Sequence, residues 1–176
     1  MTALRQATMS ALNESLVLDY VREHDASSRA AISRDLGLSA ASVSRIVGRL
    51  LASGLVTESS SAAEGRGRPA RRLHLDPRAG CVIAIDLGGT KCHGALADLS
   101  GTMLIEDVRP TKQDGTPYET LLASIGHLAR AATSPLLAAA IGVPAIVDPV
   151  SGVVLGGPNV HWQDFALVDE LKRVLD

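Results

Sequence analysis

At 176 residues the chain has room for one ordinary domain, or for a small domain joined to part of a larger one. With 46% hydrophobic and 20% charged residues but few aromatics, its core must be built from Leu, Val, Ile and Ala, and general disorder is excluded. The net charge of −2 hides an asymmetry: residues 1–80 carry 11 Arg against 8 Asp or Glu, a balance of +3, and residues 81–176 carry 6 Lys or Arg against 11 acids, a balance of −5.

The basic excess is concentrated in positions 40–80, where Arg45, Arg49, Arg66, Arg68, Arg71, Arg72 and Arg78 face only Glu58, Glu64 and Asp76. The first segment is therefore expected to meet a polyanion and the second is not. The opening "MTALRQATMSALNESL" lacks an apolar signal core, and the most apolar run, "LLAAAIGVPAIV" at 136–147, is 12 residues with Gly and Pro inside it. A soluble, cytoplasmic chain with no membrane partner is expected. Neither Cys81 nor Cys92 belongs to a CxxC pair, and both read as buried packing residues.

In chain order, Met9, Leu12, Leu16, Val17, Tyr20 and Val21 fall at helical spacing and are expected to pack as one stripe. "SSRAAISRDLGLS" follows, with Ser28 as N-cap, Ile32 and Leu36 on one face, and Gly37 as the left-handed C-terminal residue of a short second helix. After a tight turn, Ser39 can cap a third helix with apolar Val43, Ile46, Val47, Leu50 and Leu51, ended by Gly54. Two helices joined this closely make a helix-turn-helix. On the third helix Ala41, Ser42, Arg45 and Arg49 fall opposite the apolar stripe, with Ser44 at its edge. Small residues let a helix approach base edges, and arginines reach guanine or phosphate. The alternative is a merely solvated face.

"GLVTES" and "RRLHLD" are short β-type runs around "SSAAEGRGRPA". This predicts a hairpin with a basic tip, the wing of a winged helix, whose Arg66 and Arg68 suit insertion into a minor groove. At "DPRAG" the character changes, which places the boundary between a domain at 1–76 and another at 77–176. Three strands in an antiparallel meander are predicted from "CVIAIDLGGT", "KCHGALADLSG" and "TMLIEDVRP". A helix over 118–133, the strand "LLAAAIGV" and a final helix "FALVDELKRVLD" complete an α/β half-domain, its fourth strand able to lie parallel to the first.

In "AIDLGGTK", Gly88, Gly89, Thr90 and Lys91 supply backbone and side-chain donors for a phosphate, and Asp86 stands where a carboxylate can hold a metal through water. The spacing is neither GxxxxGK[ST] nor GxGxxG, and a Gly-Gly turn between strands is also an ordinary hairpin.

The order of the pieces is more specific. "SRAAISRDLGLSAASVSRIVGRLLASGLV", "GRGRPARRLHLDPRAG", "VIAIDLGGTKCHGALADLSG", "IGVPAIVDPVSGVV" and "GPNVHW", in this order, closely resemble the ROK family of sugar-responsive repressors and sugar kinases. The resemblance implies a winged helix-turn-helix followed by the first lobe of an actin-like, ribonuclease-H-type sugar kinase or sensor domain. It implies a repressor of carbohydrate genes with operator DNA and a sugar effector as partners, the sugar bound weakly or not at all by this truncated chain, and a homo-oligomer at full length; the rival reading is an ATP-dependent sugar kinase. "DLGGTK" becomes the nucleotide phosphate loop, and Pro144, Ala145 and Asn159 fall on the sugar-facing side, where Asn159 is either a sugar ligand or a turn residue after Pro158. His161 and Trp162 line the mouth of that site or belong to the core.

Pro144-Ala145 departs from the family's Pro-Gly, and the added Cβ is expected to crowd a ligand approaching the backbone. The family's catalytic aspartate, zinc cluster and second lobe have no counterpart in 1–176; Asp148, Asp164 and Asp169 do not match the aspartate motif. The chain thus reads as a regulator truncated after the first lobe, with no catalytic residue, no zinc, and ATP only if the phosphate loop is functional.

Overall fold

The computed structural model describes residues 2–60, 71–111, 116–157 and 159–175. The chain divides into two compact units, Met1–Ala79 and Gly80–Asp176. The division falls three residues beyond position 76, because the 3-10 turn Pro77–Ala79 is tied back to Asp76 through its carbonyl and carboxylate.

The first unit contains α1 (Thr2–Glu23), α2 (Arg29–Leu36), α3 (Ala40–Ala52) and the antiparallel strands β1 (Val56–Ser60) and β2 (Arg71–Leu75). Local chemistry sets the helix ends. Ser28 Oγ accepts from Ala31 N (3.2 Å) and Ser39 Oγ from Ser42 N (3.1 Å), while Gly37 closes α2 at φ +65. Val17, Val21, Ile32, Val43, Ile46, Val47, Leu50, Val56 and Leu73 form the core.

The apolar stripe of α1 does not pack as one surface. Val17 and Val21 are buried, but Met9, Leu12 and Leu16 are 56%, 52% and 43% exposed. For Met9 and Leu12 the reason is length: 22 residues of helix run roughly 33 Å, beyond the reach of the 8-residue α2 and the 13-residue α3; Leu16, next to buried Val17, lies instead off the packed face.

The second unit is built on a four-stranded sheet in the order β5-β4-β3-β6, from β3 (Cys81–Leu87), β4 (Lys91–Asp98), β5 (Met103–Pro110) and β6 (Leu136–Gly142). β3, β4 and β5 form the antiparallel meander, turned at Leu99-Ser100-Gly101, where Asp98 Oδ1 accepts from Ser100 N and Thr102 N. β6 lies parallel to β3. The crossover is α4 (Pro117–Ala131), started by a reciprocal capping box between Thr116 and Glu119. Leu121, Ile125 and Leu128 of α4 cover one face of the sheet. Gly94 permits this: a Cβ there would lie 2.6 Å from Ser124 Oγ and 2.9 Å from Leu128 Cδ1.

The short hairpin of β7 (Ile146–Val147) and β8 (Val154–Gly156) was not anticipated, and α5 (Leu167–Leu175) follows it. Cys81 and Cys92 are buried, and burial pushes the Cys92 thiol up. Leu137 of β6 and Val168 and Val174 of α5 are exposed. No helix among the described residues is long and apolar enough to cross a membrane.

Candidate nucleic-acid interface and glycine loop

Helix α3 presents Ser39, Ala41, Ser44, Arg45 and Gly48 to solvent and keeps Ser42 half-buried. The Ser39 hydroxyl is committed to the cap, accepting the Ser42 N–H and donating to Ser42 Oγ (2.9 Å). The two arginines part company. Arg45 is exposed and has no carboxylate partner among the described residues. Arg49, placed beside it by helical spacing, turns to α1 instead: Nε donates to Glu14 Oε2 (2.8 Å), and Nη2 lies 2.5 Å from the same oxygen. Its charge is spent within the unit.

The hairpin is held against the α1–α2 corner along its length. Leu73 N donates to Ser27 O (2.8 Å), Arg72 Nη1 to Ala26 O (3.2 Å), and His74 Nδ1 pairs with Asp25 Oδ1 (2.7 Å). The bond from His74 holds the Asp25 carboxyl below the usual carboxylate range. Glu58 on β1 takes both Arg29 of α2 and Arg71 of β2. Burial pushes the Glu58 carboxyl up, the two arginines pull it down, and the net shift is downward. Arg66 and Arg68, with the rest of the expected basic tip, lie outside the described residues.

In the second unit the glycine loop is a closed turn. Gly88 N donates to Lys91 O (2.7 Å). Thr111, fully buried, holds the loop from behind: its Oγ1 donates to Gly88 O (2.9 Å) and its N to Thr90 O (2.9 Å), while Thr120 Oγ1 of α4 donates to Thr111 O (3.3 Å). Because the peptide is planar and trans, fixing Gly88 O toward Thr111 turns the Gly89 N–H the opposite way. Asp86, Thr90 and Lys91 are exposed at this end of the sheet.

Asn159 lies against the loop. A Cβ on Gly89 would sit 3.3 Å from both Asn159 Cβ and Cγ, so the candidate phosphate and sugar residues share one neighbourhood. Pro144 and Ala145 are half-buried, and the Ala145 methyl packs against Gly157, where an added Cβ would lie 2.8 Å away. Gly157, lacking a Cβ, leaves that methyl its room. Trp162 packs with Phe165 (5.2 Å) and Tyr118 (6.4 Å) in an aromatic cluster on the core, while His161 is exposed at φ +52.

Spacing along the chain missed Glu14, Glu58 and Thr111, whose partners lie on other elements. Thr111 provides a test. Thr111→Val keeps the shape but leaves the Gly88 carbonyl without its donor, and is expected to cost about 1–3 kcal/mol, recovered in part by Thr111→Ser. Thermal unfolding followed by Trp162 fluorescence checks it; unchanged stability in the valine variant would remove Thr111 from this role.

The sequence profile of the ROK family matches residues 82–176. The chain belongs to the ROK family. The MarR family profile matches residues 8–67 of this ROK chain, which include the helix-turn-helix and β1. A putative xylose repressor of Caldicellulosiruptor sp. (strain Rt8B.4) is 32% identical over 97% of this chain and 43% of its own length. The DNA-binding transcriptional dual regulator NagC of Escherichia coli (strain K12) is 28% identical over 92% of this chain and 41% of its own. The ROK chain therefore spans less than half the length of these curated relatives. A crystal structure of a ROK family transcriptional regulator, a homolog of the E. coli MLC protein, superposes with a TM-score of 0.75 at 23% identity, covering 94% of this chain and 43% of that one. The architecture is thus a winged helix-turn-helix joined to part of a ROK domain.

Proposed function

We propose that this ROK chain is the operator-binding part and first sensor lobe of a cytoplasmic transcriptional regulator, a repressor of carbohydrate genes released by a sugar. The observation that carries the reading is the joining, in one chain, of a winged helix with an open, small-residue recognition face around Arg45 to a ROK sheet in which Asn159 touches the glycine loop. The relatives named as xylose repressor and as NagC support the class of target and of effector. In this reading Ser39, Ala41, Ser42, Ser44 and Arg45 face the major groove, Arg66 and Arg68 the minor groove, and Pro144, Ala145 and Asn159 frame the sugar. Self-association, expected of a protein that reads a two-fold operator, is part of the same proposal.

The test is duplex binding by the 176-residue chain across a salt series. Replacing Arg66 and Arg68 by alanine is expected to weaken binding and to flatten the log–log salt slope by about two, one for each lost phosphate contact. Undiminished affinity in the double variant at physiological salt would remove the wing from the interface.

The kinase reading draws on one observation, the exposed Asp86 beside Gly88, Gly89, Thr90 and Lys91. The Gly89 N–H, the Thr90 hydroxyl and the Lys91 ammonium suit a phosphate, so a nucleotide, if bound, would be held there. We expect no phosphoryl transfer, because that chemistry needs a positioned acceptor-orienting group as well as a phosphate site. Sugar-dependent ATP turnover abolished by Asp86→Ala would favour the kinase instead.

A further inference from the structure

We infer that Glu58 is the positioning residue of the wing: one carboxylate gathers Arg29 from α2 and Arg71 from the strand that returns from the tip, and so sets where the wing meets DNA. The inference rests on the DNA-binding reading above. Glu58 pairs with Leu73 across the hairpin, and Leu73 is fully buried, so the glutamate faces the helical side of the unit. Its side chain is 12% exposed. One oxygen, Oε1, is bonded by Arg29 Nη1; the other, Oε2, accepts from Arg71 Nη1 at 2.7 Å. Arg29 is the first residue of α2, and Arg71 is the first described residue after the segment that contains Arg66 and Arg68.

Both guanidinium groups lie within hydrogen-bonding reach of one carboxylate, so they also lie close to each other. With the carboxylate ionised, the three charges attract on balance. With a neutral acceptor in its place the same geometry holds two like charges together in a partly dry setting, where repulsion is stronger than in water. Arg71, 62% exposed, is the one able to leave. Glu58→Gln, nearly identical in shape, therefore converts a clamp into a repelling pair: β2 loses its tie to α2, which stands beside those at Arg72, Leu73 and His74, and Arg71 becomes a free cation at the start of β2.

This gives an uncommon signature. The 176-residue chain is titrated against two duplexes across a salt series, one enriched from a random pool by the wild-type protein and one unrelated. For Glu58→Gln we expect the ratio of specific to non-specific affinity to fall about tenfold while the non-specific salt slope steepens by about 0.9, the effect of one added phosphate contact. Glu58→Asp, which keeps the charge, is expected to hold the wild-type slope. Glu58→Gln with Arg71→Met is expected to lose the added slope, because Arg71 is its source, and to keep the lowered ratio.

A merely structural glutamate would lower both affinities together with the thermal midpoint and leave the slope alone, and that result overturns the inference. So does a wild-type ratio in Glu58→Gln. Should that single variant fold poorly, the double variant, with one guanidinium at the site and no repulsion, still decides: a wild-type ratio there overturns the inference and a lowered one supports it. Failure of the wild-type chain to bind any duplex would bring down the DNA-binding reading itself, together with this inference, and is seen in a separate arm.

Discussion

Arg45→Ala is expected to weaken specific DNA binding by about 1–3 kcal/mol, roughly fivefold to 150-fold, and Arg49→Ala, one helical turn away, is expected to leave the contact with DNA intact. The difference follows from where each charge ends. Arg45 stands exposed on α3 without a carboxylate partner among the described residues, open to a base edge or a phosphate. Arg49 is paired with Glu14, with 41% and 36% of the two side chains exposed. Such half-exposed pairs contribute about 0.2–1 kcal/mol to stability, so Arg49→Ala should lower the thermal midpoint of the first unit slightly and leave the salt slope unchanged. Anisotropy of a labelled duplex titrated across salt separates the two variants. Equal losses of affinity and slope would show that helical spacing, and not the Glu14 pair, describes Arg49 correctly.

Gly94→Val is expected to destabilise the second unit by about 1–3 kcal/mol or more through overpacking. The first added carbon already meets Ser124 Oγ at 2.6 Å and Leu128 Cδ1 at 2.9 Å, both on α4, whose apolar face is the cover of the sheet. The two remaining methyls must also be accommodated, so the helix has to shift or the strand has to bend. The chain's single tryptophan, Trp162, lies in the second unit, packed with Tyr118 of α4 and Phe165, and reports this unit alone. Its thermal transition should fall by roughly 5–20 °C, at about 4–8 °C per kcal/mol for a unit of this size. Duplex affinity is expected to persist, because α3 and the hairpin belong to the other unit. A Trp162 transition at the wild-type temperature would mean that α4 does not lie against Gly94.

Chain-local chemistry was legible from the residues alone. Ser28 and Ser39 start their helices through bonds spanning three residues, Gly37 ends α2 by its left-handed backbone, and the 3.6-residue period of Val43, Ile46, Val47 and Leu50 assigns the buried face of α3. The Leu99-Ser100-Gly101 turn sets the meander, and the crossover helix sets β6 parallel to β3, for the same reason. What the residues alone did not reveal depends on distance in the chain. Nothing near Arg49 distinguishes it from Arg45, because the difference is Glu14, 35 residues earlier. Thr111 looks like any strand-end threonine until Gly88, 23 residues before it, folds against it. The stripe of α1 satisfies its periodicity completely, yet only Val17, Tyr20 and Val21 of it pack on the core, since periodicity says nothing of where the neighbouring elements lie. Composition and spacing decide which groups a residue offers; which of them remain free for DNA or a sugar is decided by the side chains that tertiary packing brings beside them.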